Sequence, residues 1–156
     1  MSPSGAALVA IFCALAALHL YWGAGGLWPG HDQNSLREMV VGASGPMPPA
    51  VGPLPGWAAA ALVAGLLAAG AAIVAARHSG LMATPLRWLI AAGYVGLILV
   101  FAARGLAPYL SAVFEYARDK PFYALNLRLY APLCLLIATL LVVDFPLRHG
   151  ASAPRD

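Results

Sequence analysis

Four long apolar runs, separated by short polar segments, dominate the pattern of hydrophobic and polar positions along the chain. Each run has about the 20 residues that a helix needs to cross the hydrocarbon of a bilayer. In lipid a segment must satisfy its own backbone polar groups, which favours helices. The pattern therefore predicts an all-α fold and a single membrane domain over residues 1–156. This domain is a four-helix transmembrane bundle with spans at 5–28, 57–76, 86–106 and 122–143.

The segment between the first two spans is polar at first and then rich in proline and glycine. Ser35 and Glu38 have the spacing of a capping box that opens a short surface helix. Residues 45–55 include five prolines, so this stretch cannot form a regular helix or a central strand. The third run is compatible with a kinked helix that continues past Pro108 towards Glu115.

Composition supports a membrane location. The chain is 62% hydrophobic and 10% charged, with a mean hydropathy of +0.79, whereas soluble domains average about 45–50% apolar and about 25% charged residues. A chain of 156 residues is too small to bury so much apolar surface in its own core. The net charge of +3 is scattered along the sequence, which excludes a nucleic-acid-binding footprint.

Four spans place both termini on one side of the membrane. The termini and the middle loop carry four arginines, and the opposite side carries three Lys or Arg residues. The positive-inside rule then predicts cytoplasmic termini. Aromatic residues at the predicted span ends are typical of an interfacial belt, namely Trp28, Trp57, Trp88 and Tyr116.

Polar residues inside the spans are costly in lipid and usually face the bundle interior. Spans one and three end on the side where span four begins, so the polar residues near those ends share one leaflet, which we expect to be the outer one. The opposite half is predicted to hold almost no ionisable residue, with His78 and Asp144 placed at span ends. The residues of the polar leaflet are His19, Tyr21, Arg104, Asn126, Arg128 and Tyr130.

Helical spacing groups some of these side chains. His19 and Trp22 are neighbours at i and i+3, and Asn126 and Tyr130 share a face at i and i+4. Arg128 points about 160° away from Asn126, although its length lets it bend back or snorkel to the interface.

Two prolines are expected to leave backbone carbonyls near the arginines without an amide donor. Both Arg104 and Arg128 begin an R-x-x-A-P stretch, which ends at Pro108 and Pro132. Proline removes the hydrogen bond to the carbonyl four residues earlier, which here belongs to the arginine itself. The simpler alternatives are that both arginines snorkel and that His19 is a neutral histidine bonded across helices.

Segments 19–28 (HLYWGAGGLW) and 126–133 (NLRLYAPL) resemble a family of small bacterial four-span membrane proteins of unknown function. The resemblance covers nearly the whole chain. It implies four spans in a bacterial cytoplasmic membrane and supports His19, Trp22, Asn126 and Arg128 as site residues. It supplies no substrate, cofactor or mechanism.

The first functional hypothesis is that the protein binds an amphipathic anionic ligand of the lipid, quinone or polyprenyl phosphate type. The forked donors of arginine suit a phosphate or carboxylate head group, and the spans can flank an apolar tail. The predicted ligand-binding residues are His19, Trp22, Arg104, Asn126, Arg128 and Tyr130.

Two other functions stay open. As a membrane enzyme, the protein would use His19 as acid or base and Arg128 to stabilise negative charge, with Asn126 or Tyr130 orienting the substrate. The sequence shows no paired carboxylates, nucleophile motif or metal cluster for such an enzyme. As a structural subunit or homo-oligomer, it would pack partners against the Ala/Gly-rich second span.

Cofactor chemistry has little support in the sequence. His19 is the one histidine inside a predicted span, which argues against haem held by two histidines. The two cysteines, Cys13 and Cys134, lie in apolar runs without a C-x-x-C motif, and we interpret them as small buried hydrophobes. Membrane lipids are the expected partners.

Overall fold

Four helices of the structure, a computed structural model, are long and apolar enough to span a membrane. The spans are Pro3–Gly23, Gly56–His78, Leu86–Leu110 and Pro121–Asp144, which confirms the predicted all-α, four-helix membrane protein. The structure describes residues 1–44, 50–51, 54–79, 84–110 and 112–145. Much of the proline-rich stretch 45–55 lies outside these ranges.

The helices follow one another with short connections. The third helix runs through Pro108, as predicted, but ends at Leu110, and a separate 3₁₀ helix follows it. The fourth span contains a π-helical segment, here called the π-turn, between two α-helical parts. In chain order the elements are α1 Pro3–Gly23, α2 Gln33–Val40, β1 Ala50–Val51, β2 Leu54–Pro55, α3 Gly56–His78, α4 Thr84–Leu110, the 3₁₀ helix Ala112–Ala117, α5 Pro121–Leu125, the π-turn Asn126–Tyr130 and α6 Ala131–Asp144. The two short strands pair antiparallel.

The ends of α1 follow from local sequence. The Ser2 hydroxyl accepts a hydrogen bond from the amide of Gly5 at 2.9 Å, and Pro3 occupies the first helical turn, where its missing N–H is harmless. The helix ends at Gly23, five residues before the predicted end. Beyond it Gly25 has φ +94°, a left-handed conformation that glycine adopts without steric penalty.

The predicted surface helix between the first two spans is present as α2, but its cap differs from the prediction. Asp32 is the N-cap: its carboxylate accepts from the amide of Ser35 at 2.7 Å, and the Ser35 hydroxyl accepts from the amide of Asp32 at 3.1 Å. The helix therefore begins one turn earlier than a Ser35–Glu38 box would place it. The Glu38 carboxylate instead accepts from the hydroxyl of Ser44 and the ammonium of Lys120.

Helix packing pairs α1 with α3 and α4 with α6. No more than 28% of any 18-residue spanning window is buried inside the protein, and large apolar side chains such as Leu66 and Leu89 are exposed. Lipid is the environment that removes this surface from water. Cys13 is also exposed, so our interpretation of it as buried is wrong. The core cluster comprises Leu8, Phe12, Ala71, Val74, Tyr94, Ile137 and Leu141.

The bundle has two chemically different ends. We call the end that holds Gly23, Gly56, Leu110 and Pro121 the loop end, and the end that holds Ser2, His78 and Asp144 the terminal end. The sites described below lie one at each end.

Candidate functional site at Arg104 and Asn126

Arg104 of α4 and Asn126 of the π-turn form a direct polar contact within the spanning region of the loop end. The guanidinium Nη2 donates to Oδ1 of Asn126 at 2.8 Å. Asn126 is 1% exposed, and Arg104 is partly buried. The ring centroid of Phe114 lies 4.8 Å from the guanidinium carbon, so an aromatic face covers one side of the cation. The sequence predicted both residues in one leaflet, but not this pairing.

Two nitrogen atoms of this pair have hydrogens to donate and no acceptor. Arg104 Nη1 and Asn126 Nδ2 are buried, and neither has a hydrogen-bond partner within the described ranges. The arginine fixes the amide orientation, because only Oδ1 can accept from a guanidinium. An unsatisfied buried donor destabilises by about 1–3 kcal/mol. The pair is therefore short of an acceptor oxygen.

The charge of the pair is also uncompensated. Across the described ranges Arg104 takes part in no ion pair. A cation within a spanning segment normally meets an anion, a carbonyl or the interface. This arrangement can bind a phosphate, a carboxylate or another oxygen acceptor.

The π-turn changes which backbone carbonyls near Asn126 are left without an amide donor. The amide of Ala131 donates to the carbonyl of Asn126, five residues earlier. In this spacing the carbonyl that loses its donor at Pro132 is that of Leu127, and the hydroxyl of Tyr109 donates to it at 2.7 Å. The α-helical spacing assumed in our prediction pointed to the Arg128 carbonyl instead. Single π-helical turns are frequent at functional sites.

The predicted neighbours His19 and Trp22 do contact each other. Their ring centroids are 5.1 Å apart in an edge-to-face arrangement. His19 Nδ1 lies 2.8 Å from the carbonyl oxygen of Leu15, so Nδ1 carries the hydrogen and Nε2 is the other ring nitrogen. Trp22 Nε1 donates to the carbonyl of Trp28 at 2.6 Å. These hydrogen bonds stay within α1 and the segment that follows it.

Tyr130 and Arg128 point away from the Arg104–Asn126 pair. The Tyr130 hydroxyl donates to the carbonyl of Met39 in α2 at 3.1 Å, so it ties the π-turn to the surface helix. Arg128 is exposed, in agreement with the predicted angle from Asn126. The six predicted site residues are thus divided among four local environments.

The sequence missed a polar cluster at the terminal end. Asp144 is 0% exposed, and its carboxylate accepts from the hydroxyls of Ser2, Ser4 and Tyr94 and from Nε2 of His78. These donors come from the start of α1, from α3 and from α4. Our prediction placed His78 and Asp144 at span ends, where the structure also has them, but it did not include their meeting in one buried cluster. We call these five residues the Asp144 cluster.

Arg77 is another buried charged residue at this end. It is 7% exposed, and its guanidinium carbon lies 5.2 Å from the ring centroid of Tyr94 and 4.6 Å from that of Phe145. It also donates to the carbonyl of Phe145. A basic Arg77-His78 pair and an acidic Asp144 at the same end were the available sequence cue, because buried charges require partners.

Comparison with known families identifies the family to which most of the chain belongs. A family model matches residues 12–141, which includes Arg104, Asn126, His78 and Tyr94. The chain belongs to the DUF3995 family. This family is described as a protein of unknown function. No curated protein and no solved structure matches the chain.

Within this DUF3995 protein the two polar sites differ in their chemistry. The Asp144 carboxylate has four donors, which leaves little capacity for a ligand, whereas the Arg104–Asn126 pair has donors to spare. In the described ranges no three His, Cys, Asp or Glu side chains are grouped to hold a metal ion. The Arg104–Asn126 pair is therefore the better candidate for ligand binding.

Proposed function

We propose that this integral membrane protein binds an amphipathic ligand whose head group presents acceptor oxygens to Arg104 and Asn126. The observation that carries the proposal is the pair of buried nitrogens, Arg104 Nη1 and Asn126 Nδ2, that lack an acceptor in the described part of the chain. A phosphate or carboxylate suits the guanidinium because its oxygens match the fork of donors. Lipids, quinones and polyprenyl phosphates are the ligand classes in question.

The depth of the pair supports an amphipathic ligand over a soluble one. Arg104 precedes the span end Leu110 by six residues, and Asn126 follows the span start Pro121 by five. At 1.5 Å per residue, both lie roughly 8–9 Å inside their spans. A ligand whose head group lies at this depth extends further into the hydrocarbon, so the rest of the ligand must be apolar.

Arg128 fits the same proposal as a second cation. It is exposed on the π-turn, two residues after Asn126, so it faces the surroundings from which a membrane ligand approaches. A second positive charge on the same turn favours anionic head groups over zwitterionic or neutral ones.

Mass spectrometry of molecules that co-purify with the protein tests this function. The variants are Arg104→Gln, which removes the charge, and Asn126→Leu, which removes the amide at similar size. Arg87→Gln is the matched control, because Arg87 is an exposed arginine at the other end of α4. All variants are first checked for a monodisperse profile and a cooperative melt.

We expect one amphipathic species enriched with the wild type and with Arg87→Gln, and depleted at least tenfold from the other two variants. The same mixture of bulk lipids in all four preparations would contradict ligand binding by Arg104 and Asn126.

A further inference from the structure

Tyr109 of α4 forms a second polar bridge between α4 and the π-turn, beside the bridge from Arg104 to Asn126. Its hydroxyl donates to the carbonyl of Leu127 at 2.7 Å, and Arg104 donates to the Asn126 side chain at 2.8 Å. Both bridges join the same two elements, and their acceptors on the π-turn are consecutive residues. Because Tyr109 bonds the backbone, it lies beside the candidate site and is not one of its ligand-facing groups.

A close crossing of α4 and α6 brings Tyr109 within reach of the π-turn. At Gly105 a Cβ atom would lie 2.7 Å from Cδ2 of Leu135 and 3.1 Å from the carbonyl oxygen of Ala131. A larger residue there would therefore displace α6 or the Leu135 side chain. Ala131 is fully buried and directly follows the π-turn. Backbone packing at Gly105 thus holds α4 against the end of the π-turn, one helical turn before Tyr109.

The backbone hydrogen bonds of the fourth span can be made in two spacings. Pro132 has no N–H, so one carbonyl of this segment loses its amide donor in either case. In α-helical spacing the amide of Ala131 would bond to Leu127, four residues earlier, and the carbonyl of Arg128 would be left. In the π-helical spacing that is present, the amide of Ala131 bonds to Asn126, and the carbonyl of Leu127 is left.

The Tyr109 hydroxyl bonds to the carbonyl that only the π-helical spacing leaves without an amide. In α-helical spacing the Leu127 carbonyl would already accept from the Ala131 amide. A backbone carbonyl without a donor is costly inside a spanning segment. A side-chain donor at Leu127 therefore favours the π-helical spacing over the α-helical one.

We propose that Tyr109 is a positioning residue, whose hydroxyl holds the π-turn in place and thereby keeps the side chain of Asn126 against Arg104. This inference rests on the proposed function, because it assigns Tyr109 the role of preparing that pair for the ligand. Each helical residue turns the chain by about 100°. A change of spacing at the π-turn therefore rotates Asn126 relative to α6 and turns its amide away from α4.

NMR can measure the position of Asn126 without any ligand. The full chain is labelled with ¹⁵N-asparagine and stripped of co-purified molecules by detergent exchange, and the Asn126 side-chain NH₂ signal is recorded. Tyr109→Phe removes the hydroxyl and keeps the ring, at a side chain that is 51% exposed. Tyr116→Phe is the matched control, because Tyr116 is also exposed and its hydroxyl donates to a different backbone carbonyl, that of Val41, at 2.9 Å. Each variant is first checked for a cooperative melt.

We expect Tyr109→Phe to shift the Asn126 signal and Tyr116→Phe to leave it in place. Pro132→Ala should shift the signal in the same direction as Tyr109→Phe. The double variant should resemble Pro132→Ala alone, because both changes remove the same preference for the π-helical spacing. An Asn126 signal that is unchanged in Tyr109→Phe would overturn the proposal. A double variant that shows the sum of the two separate shifts would also overturn it.

Co-purification separates this inference from the proposed function. The enriched amphipathic species should be depleted about three- to tenfold in Tyr109→Phe, the factor that one hydrogen bond corresponds to, and should be unchanged in Tyr116→Phe. Full retention of the species despite a shifted Asn126 signal would refute the role of Tyr109 in binding. A wild type without any enriched species would contradict the proposed function and the binding role of Tyr109 together. The Asn126 signal of the stripped variants would then still decide whether Tyr109 fixes the position of Asn126.

Discussion

The hydroxyl of Tyr94 donates a 2.6 Å hydrogen bond to the carboxylate of Asp144, and both side chains are fully buried. The bond joins the first half of α4 to the last residue of α6. It belongs to a cluster in which one acceptor group has four donors. At the opposite end, the Arg104–Asn126 pair has two donor nitrogens without an acceptor among the residues that the structure describes. A carboxylate with four donors stabilises packing, whereas buried donors without an acceptor leave room for a ligand.

Tyr94→Phe should destabilise the protein, because it removes one donor from the buried carboxylate and leaves the ring in place. The expected loss is about 1–2 kcal/mol, between the values for bonds to charged groups and for interhelical bonds in membranes. Unfolding by denaturant in mixed micelles measures it. Tyr116→Phe, at an exposed tyrosine, is the control and should lower the free energy of unfolding by less than Tyr94→Phe does. Equal losses would show that the Tyr94–Asp144 bond contributes nothing specific.

Asp144→Asn should be more severe, because it removes the charge from an acceptor that has four donors. We expect a loss of about 3 kcal/mol or more. Tyr94→Phe in the Asp144→Asn background should then cost less stability than Tyr94→Phe alone, since the hydrogen bond to the charged carboxylate is already lost. A double-mutant cycle measures the coupling between the two residues. Strictly additive losses would show that Tyr94 does not interact with the Asp144 charge.

The cap of α2 should depend on pH. Hydrogen bonds from the backbone amide of Ser35 and from the Ser35 side chain lower the pKa of Asp32 below the ordinary value of 3.8. A lowered pKa means that the cap contributes stability above the unfolded-state value and loses it as pH falls through the folded-state value. The Ser35 amide resonance in NMR should therefore titrate with a midpoint below 3.8, and Asp32→Asn should abolish the titration. A midpoint at or above 3.8 would rule out this cap.

Pro132→Ala should raise the stability of the protein and weaken its binding of the ligand. The substitution restores an N–H in the fourth span, which favours regular α-helical bonding over the π-turn. The melting temperature should rise, because a proline inside a helix costs about 3 kcal/mol relative to alanine. The loss of the π-turn should rotate Asn126 away from Arg104 and reduce the co-purified ligand. A variant that is more stable and retains its ligand would show that the π-turn is not required for binding.

The sequence predicted the four spans because apolar length alone decides which segments cross a bilayer. It also placed Arg104 and Asn126 in one leaflet, since the leaflet follows from the order and direction of the spans. It could not predict their contact, because the π-turn changes the rotation of Asn126 relative to an α-helix. The Asp144 cluster was missed for a different reason. Ser2 and Ser4 reach Asp144 only because α1 packs against the rest of the bundle. The spacing of residues along the chain does not reveal this tertiary contact.

The most direct test of the central claim is NMR of the Asn126 side-chain amide. The chain has two asparagines, Asn34 and Asn126, so selective labelling with ¹⁵N-asparagine gives two side-chain NH₂ groups, which an Asn34→Ser variant assigns. Spectra are recorded before and after detergent exchange that strips co-purified molecules. If a ligand accepts from Nδ2, the Asn126 signal should shift on stripping and return on adding back the extract, while Asn34 stays unchanged. An Asn126 signal that is identical in all three samples would contradict ligand binding at this pair.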